Sequence, residues 1–213
     1  MKKGLTELVF ILDRSGSMAE LTSDTIGGFN SMLEKQKKVD GEALVSTVLF
    51  NGQSVVVHDR VDIQQVERMT EEQYQAFGNT ALIDAIGDAI HHIRNVHKYI
   101  REEDLPERTM FVITTDGLEN ASRRYSSDEV KKMVKAQQDA GWEFIFLGAN
   151  IDAVETARHF GIKESMSINY HSDSFGENWK YAMLEKALHS YRKTGAVEKG
   201  WKEEAEADFQ NRK

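Results

Sequence analysis

The stretch that decides the fold is LVFILDRSGS, residues 8–17 of a chain of 213 residues. Its first half, Leu8–Leu12, is a continuous apolar run, which is typical of a strand buried on both faces of a parallel sheet. The run stops at Asp13, where a short polar loop begins. We therefore expect a central strand whose carboxyl end carries one carboxylate and the hydroxyls of Ser15 and Ser17.

Strand and helix patterns alternate along the rest of the chain. The predicted strands are residues 8–12, 43–50, 53–59, 110–113 and 143–147, with a further short strand at 166–169. The predicted helices are residues 23–39, 80–100, 126–140 and 154–159, and a last helix with Trp179, Ala182, Met183, Ala187 and Ser190 on one face. Asn51-Gly52 joins the second and third strands and suits the positive φ angles of a tight hairpin.

This alternation predicts an α/β fold of the doubly wound, Rossmann-like type, with a mostly parallel central sheet, one antiparallel edge strand and helices on both faces. We expect one domain, residues 5–193, because no linker or internal repeat divides the chain. The lone proline, Pro106, is expected in a loop before the fourth strand. Residues 194–213 are predicted to form a charged tail, either frayed or folded into a surface helix.

Composition narrows the function classes. The 27 basic and 35 acidic side chains leave a net charge of −8, which disfavours nucleic acid as a partner. The absence of cysteine excludes disulfides, thiolate metal sites and a cysteine nucleophile. No apolar run approaches the ~20 residues that span a bilayer, and no export signal is evident, so we expect a cytoplasmic protein without a membrane partner.

Two carboxylates are predicted to meet at one edge of the sheet. Asp13 and Asp116 each follow a buried strand, and ligands of doubly wound sheets lie at the carboxyl ends of the strands. Three hydroxyls accompany them, from Ser15, Ser17 and Thr80. An all-oxygen set with two formal charges suits a hard cation rather than zinc or copper. Mg²⁺ is the expected cofactor, with Mn²⁺ or Ca²⁺ as alternatives.

The same five residues resemble the metal-ion-dependent adhesion site of von Willebrand factor A domains. In that family Asp-x-Ser-x-Ser, a distant Thr and a distant Asp surround one divalent ion. The resemblance extends over roughly Leu5 to Ile168. Two further stretches, DTIGGFN (24–30) and FLGANIDA (146–153), look like those of stand-alone bacterial and phage members.

The resemblance implies a role as well as a site. In relatives the ion accepts a Glu or Asp from a partner protein, the Ser and Thr oxygens touch the metal, and the aspartates act directly or through water. We therefore predict a binding module, not an enzyme, whose protein partner presents an acidic residue to the metal. The resemblance does not identify that partner.

Each of these residues, taken singly, also has a purely structural interpretation. Asp13 and Asp116 could be helix caps, and the three hydroxyls could belong to ordinary turns. Asp84 and Asp88 are left out of the ligand set because their spacing describes the polar face of a helix. Arg14 either steers an acidic partner or is simply solvated.

Two other functions are also open. In a Mg²⁺-dependent phosphoryl hydrolase, Asp13 would be the nucleophile, but a second aspartate is missing two residues later, where the chain has Ser15. In the second, the metal would only fasten the loops together. No nucleotide-binding glycine loop and no Gly-x-Ser-x-Gly motif is present.

Overall fold

The computed structural model describes residues 1–212, in which strands and helices alternate as predicted. The strands are β1 (Lys2–Asp13), β2 (Ala43–Phe50), β3 (Ser54–Asp62), β4 (Pro106–Thr115), β5 (Glu143–Ala149) and β6 (Ser167–Tyr170). The α-helices are α1 (Thr22–Gln36), α2 (Leu82–Tyr99), α3 (Ser127–Asp139), α4 (Ala153–His159), α5 (Ser174–Thr194) and α6 (Glu203–Asn211). A 3₁₀ turn, Gly16–Leu21, links β1 to α1.

The six strands form one sheet in the order β3-β2-β1-β4-β5-β6. Every neighbouring pair is parallel except β2 and the edge strand β3, which are antiparallel. This confirms the predicted fold class. β1 and β4 are adjacent and parallel, and Leu12 near the end of β1 is the register partner of Thr114 near the end of β4. Their carboxyl ends therefore lie at the same edge of the sheet. The residues that follow these two strands are thereby brought together.

Both faces of the sheet are covered by helices. Along β1, Phe10 packs in the core under α1 and α5, whereas Ile11 packs in the core under α2, α3 and α4. Successive side chains of a strand point to opposite faces. The continuous apolar run of β1 therefore reflects burial on both sides, as the sequence predicts.

The hairpin between β2 and β3 differs in detail from the prediction. Neither Asn51 nor Gly52 has a positive φ angle. The Asn51 side chain holds the turn instead, because its Oδ1 accepts a 3.1 Å hydrogen bond from the amide of Gln53. The predicted hairpin is present, but its predicted turn conformation is wrong.

Pro106 was expected in a loop and is instead the first residue of β4. The position tolerates proline because the first residue of a strand need not donate to the sheet. Its register partner is Lys2, whose own amide donates to the carbonyl of Leu105 at 2.7 Å. Both central strands therefore begin earlier than their apolar runs suggest.

The buried face of α5 is broader than predicted and contains three charged side chains, those of Glu177, Lys180 and Arg192. Met183 and Ala187 are buried as expected, whereas Trp179, Ala182 and Ser190 are only partly buried. Glu177 and Lys180 are buried almost completely, and their side chains form an ion pair of 2.5 Å. A hydrophobic spacing rule could not indicate this pair.

The segment after Gly195 contains the helix α6, so of the two alternatives for the tail the structure has the helix. Trp201 is buried, and its indole nitrogen donates to the carbonyl of Ser165 at 3.0 Å. The division of the chain at residues 193–194 stays a prediction, and Lys213 lies outside the described residues. Among residues 1–212, no helix has both the length and the apolar character needed to cross a membrane.

Candidate metal centre

Asp13 and Asp116 lie at the carboxyl ends of β1 and β4 and are 1% and 2% exposed. Burial raises the pKa of the Asp13 carboxyl, and so does the negative charge of Asp116, while hydrogen bonds from Thr115 and Ser15 oppose the rise. Burial also raises the pKa of Asp116, against the hydrogen bond from Ser17 and the charge of Lys180. Two buried carboxylates that repel each other would be stabilised by a cation between them.

Hydrogen bonds fix the orientation of the Asp13 carboxylate. Its Oδ1 accepts from the amide of Ser15 at 2.7 Å, and its Oδ2 accepts from the hydroxyl of Thr115 at 2.6 Å. Beneath them, the phenol of Tyr74 donates to the Asp13 carbonyl. A carboxylate oxygen has two lone pairs, so each Asp13 oxygen keeps one acceptor position beyond these bonds.

The three hydroxyls lie near Asp116, and that of Ser17 contacts it directly. Ser17 Oγ donates to Asp116 Oδ1 at 2.6 Å and lies 3.2 Å from Ser15 Oγ. Thr80 Oγ1 and Ser17 Oγ both lie within 4 Å of one point, the position where a side chain on Gly117 would begin. The structure thus brings together all five residues that the sequence singles out.

One oxygen at this position has no hydrogen-bond partner. Asp116 Oδ2 is buried and has no partner with hydrogen-bond geometry among residues 1–212, although the Ser172 hydroxyl is close enough to the carboxylate to lower its pKa. A buried acceptor without a partner is costly, and an unpaired charged oxygen more so. The donor set consists of two carboxylates and three hydroxyls, and such oxygen ligands are typical of a Mg²⁺, Mn²⁺ or Ca²⁺ site. The residues present therefore fit the metal that the sequence predicts.

Thr80 is held in place by a residue that sequence reasoning missed. The Asn120 side-chain oxygen accepts from the Thr80 amide at 2.9 Å, and the Asn120 amide donates to the Thr80 carbonyl at 3.0 Å. Next to it, Glu119 accepts from the amide of Ile83 at 2.9 Å and caps the start of α2. These contacts join residues about 40 positions apart, so no local pattern reveals them.

Asp84 was interpreted as part of a polar helix face, and the structure corrects this. It is 6% exposed, and its carboxylate accepts hydrogen bonds from the amides of Arg123, Arg124 and Tyr125 at 2.9 to 3.0 Å. Asp88 does face outward and pairs with Arg124 at 2.5 Å. Asp84 therefore anchors the loop that follows Asp116.

A buried cation lies near the site. Lys180 is fully buried, and its ammonium group lies 5.0 Å from the ring centre of Tyr170 and 4.6 Å from that of Tyr181. Glu177 balances its charge and also accepts a 3.2 Å hydrogen bond from Thr25 of α1. Because the charge of Lys180 also lowers the pKa of Asp116, helix α5 brings a compensated charge pair close to the candidate metal centre. Within residues 1–212 no group of three or more acidic or histidine side chains is placed to hold a metal. The candidate site contains two such side chains, those of Asp13 and Asp116, and its other oxygens are hydroxyls.

The sequence matches the family model described as "VWA domain containing CoxE-like protein" over residues 2–146. A search of curated proteins finds no match. Among solved structures, the fold is similar to the vWF domain of the type V pili tip protein Mfa5 from Porphyromonas gingivalis. The two are 9% identical with a TM-score of 0.65, and the match covers 91% of this chain and 98% of that one.

Two further structures share the fold. The pilus adhesin SpaC from Lactobacillus rhamnosus GG, in its open conformation, is 10% identical with a TM-score of 0.66, over 89% of this chain and 30% of that one. Proximal thread matrix protein 1 from the mussel byssus, with a zinc-occupied MIDAS motif, is 14% identical with a TM-score of 0.59, over 87% of this chain. This chain spans 46% of the mussel protein's length.

Proposed function

The chain belongs to the family of VWA domain containing CoxE-like proteins, and on that premise we propose that it is a divalent-metal-dependent protein-binding module. Asp13, Ser15, Ser17, Thr80 and Asp116 would hold the metal, with Mg²⁺ as the expected ion and Mn²⁺ or Ca²⁺ as alternatives. When bound, the ion supplies a positive centre that attracts the carboxylate of an Asp or Glu on the partner.

The observation that carries this proposal is the unpartnered, buried Oδ2 of Asp116, beside a serine that reaches solvent. Asp13, Ser15 and Thr80 are buried, whereas Ser17 is exposed. A cation at this position would compensate the negative charge of the unpaired Asp116 oxygen on its buried side. On the side of Ser17 it would remain accessible to a partner. That asymmetry is what a metal shared with a partner protein requires.

A binding role is better supported than catalysis. Both Asp13 oxygens already accept hydrogen bonds, from Ser15 and Thr115, and these bonds fix the carboxylate as a support rather than free it to attack phosphorus. Ser15, at the position of a hydrolase's second aspartate, packs its hydroxyl against that of Ser17. We therefore propose no reaction for this site.

The interaction can be tested by affinity capture on immobilised protein in Mg²⁺ and in EDTA. We expect the immobilised wild type to retain one or more proteins in Mg²⁺. The same proteins should be lost when EDTA replaces Mg²⁺ and when Asp116→Ala replaces the wild type. Asp88→Asn, which changes an outward-facing aspartate on α2, is the matched control and should retain them. Equal retention in Mg²⁺ and EDTA would contradict the proposal.

The two other functions have distinct outcomes. Phosphoester hydrolysis that disappears on Asp13→Asn would make the chain an enzyme. A metal that raises the melting temperature while no protein is retained would indicate a structural fastener.

A further inference from the structure

Large apolar side chains stand exposed beside the candidate metal centre. Phe77 is 56% exposed and lies three residues before Thr80, and Leu118 is 71% exposed and lies two residues after Asp116. Single exposed apolar residues are ordinary on protein surfaces, but these two lie on the two loops that contribute Thr80 and Asp116 to the same candidate site.

The backbone of Phe77 is held firmly. Its amide donates to the carbonyl of Arg14 at 3.0 Å, and its carbonyl accepts from the side-chain amide of Asn51 at 3.0 Å. The next residue, Gly78, has a φ of +77° and accepts a 3.0 Å hydrogen bond from the amide of Gly16. The exposed ring is therefore carried on a segment that is tied to the metal-binding loop.

Leu118 is presented in a similar way. It follows Gly117, where an added Cβ would lie within van der Waals reach of the Thr80 and Ser17 hydroxyls. It precedes Glu119 and Asn120, whose side chains bind backbone amides at the start of α2. The Leu118 side chain faces solvent from a loop that is anchored on both sides. Its exposure therefore does not stabilise the fold.

Arg14 places a positive charge between the ligand residues Asp13 and Ser15. Its guanidinium carbon lies 5.6 Å from the centre of the Phe77 ring, and its Nη1 donates weakly to the carbonyl of Gln73 at 3.4 Å. Its Nε is buried without a hydrogen-bond partner. In the part of the chain that the structure describes, no carboxylate lies within ion-pair distance of Arg14.

We propose that Phe77, Leu118 and Arg14 form a selective rim around the metal, and that the partner is a protein segment in which an Asp or Glu is flanked by apolar side chains. This rests on the proposed function. Two aspartates balance the charge of a divalent ion, so Arg14 leaves the rim with an uncompensated positive charge that an acidic segment complements. The apolar neighbours of the acidic residue would bury Phe77 and Leu118.

The test begins with a phage-displayed random peptide library as the probe. The library is bound to the wild-type protein in Mn²⁺ and eluted with EDTA. We expect the enriched peptides to contain an Asp or Glu with a Leu, Ile, Val, Met or aromatic residue within two positions. Acidic peptides that show no apolar preference would overturn the rim and leave metal-dependent binding standing. No EDTA-elutable enrichment would overturn both.

A synthetic copy of the most enriched peptide then tests the individual residues by fluorescence polarisation. Phe77→Ser and Leu118→Ser should each weaken peptide binding about tenfold or more, from the loss of one large apolar contact. Arg14→Gln should weaken it most at low ionic strength. Tyr99→Ser, at the far end of α2 and 77% exposed, is the matched control and should bind normally.

Metal affinity, measured by calorimetry, separates this inference from the proposed function. Phe77→Ser and Leu118→Ser should bind Mn²⁺ as the wild type does, because neither residue is a ligand. Rim variants that bind both metal and peptide like the wild type would overturn the inference alone.

Discussion

The hydroxyl of Thr115 donates a 2.6 Å hydrogen bond to Oδ2 of Asp13, across the adjacent carboxyl ends of β4 and β1. The bond leaves the Asp13 carboxylate with one orientation, in which its other oxygen accepts from the Ser15 amide. Residues that orient a metal ligand without touching the metal can affect affinity nearly as much as the ligands.

Thr115→Val should therefore weaken Mn²⁺ binding about tenfold or more while the fold stays intact. Valine keeps the shape of threonine but cannot donate the hydrogen bond. Calorimetry on metal-stripped protein measures the change. Thr109→Val is the matched control, since Thr109 is also buried in β4 but lies at the opposite end of the strand. Equal affinities for the two variants would contradict the assigned role of Thr115.

Removal of the Lys180 ammonium group should destabilise the protein severely. Lys180→Met leaves the Glu177 carboxylate buried with only the Thr25 hydroxyl as a partner. Loss of one member of a buried ion pair typically costs about 3–5 kcal/mol. Urea unfolding measures the loss in free energy of unfolding.

Two further variants make the result specific. Glu177→Gln combined with Lys180→Met should recover part of the lost stability, because no charge is then left unpaired. Lys186→Met, on the exposed side of the same helix, should change little, since surface ion pairs contribute little. A similar small effect for Lys180→Met and Lys186→Met would show that the buried pair does not stabilise the fold.

Asp84 should make stability depend on pH. Burial favours its neutral form, but hydrogen bonds from the amides of Arg123, Arg124 and Tyr125 outweigh burial and lower the pKa of the carboxyl. A pKa that is lower in the folded state stabilises the fold above the unfolded-state pKa. This contribution is lost as the pH falls through the folded-state pKa.

Asp84→Asn should consequently reduce the free energy of unfolding by about 1–3 kcal/mol at neutral pH. The difference from the wild type should shrink as the pH falls below the unfolded-state pKa of about 4 and then through the lower folded-state pKa, where the wild-type carboxyl becomes protonated. Thermal unfolding of both proteins across this range measures it. A difference that is the same at neutral and acid pH would contradict the charge-based explanation.

The sheet could be predicted because its central strands carry a local signal. The apolar run of β1 reflects burial on both faces of the sheet, and the polar residues directly after it reflect a position at the edge of the sheet. Both patterns are formed by residues that are neighbours in the sequence. Helix α3 begins with a capping box of Ser126 and Glu129, which is an equally local feature.

What could not be predicted depends on contacts between distant residues. Thr115, Asn120 and Lys180 look ordinary in sequence, and only the fold places them beside Asp13, Thr80 and Asp116. Asp84 was misjudged for the same reason, because helical spacing describes which side it faces but not the loop that packs there. The position of the five predicted ligand residues could be inferred only because each follows or precedes a recognisable element.

The most direct test of the metal centre is titration calorimetry of metal-stripped protein with Mn²⁺, comparing the wild type with Asp116→Ala. Binding of close to one equivalent by the wild type, lost in a variant with an unchanged circular dichroism spectrum, is the result we expect, because Asp116 supplies the unpartnered buried oxygen. Unchanged Mn²⁺ affinity in Asp116→Ala would contradict the assignment of the site.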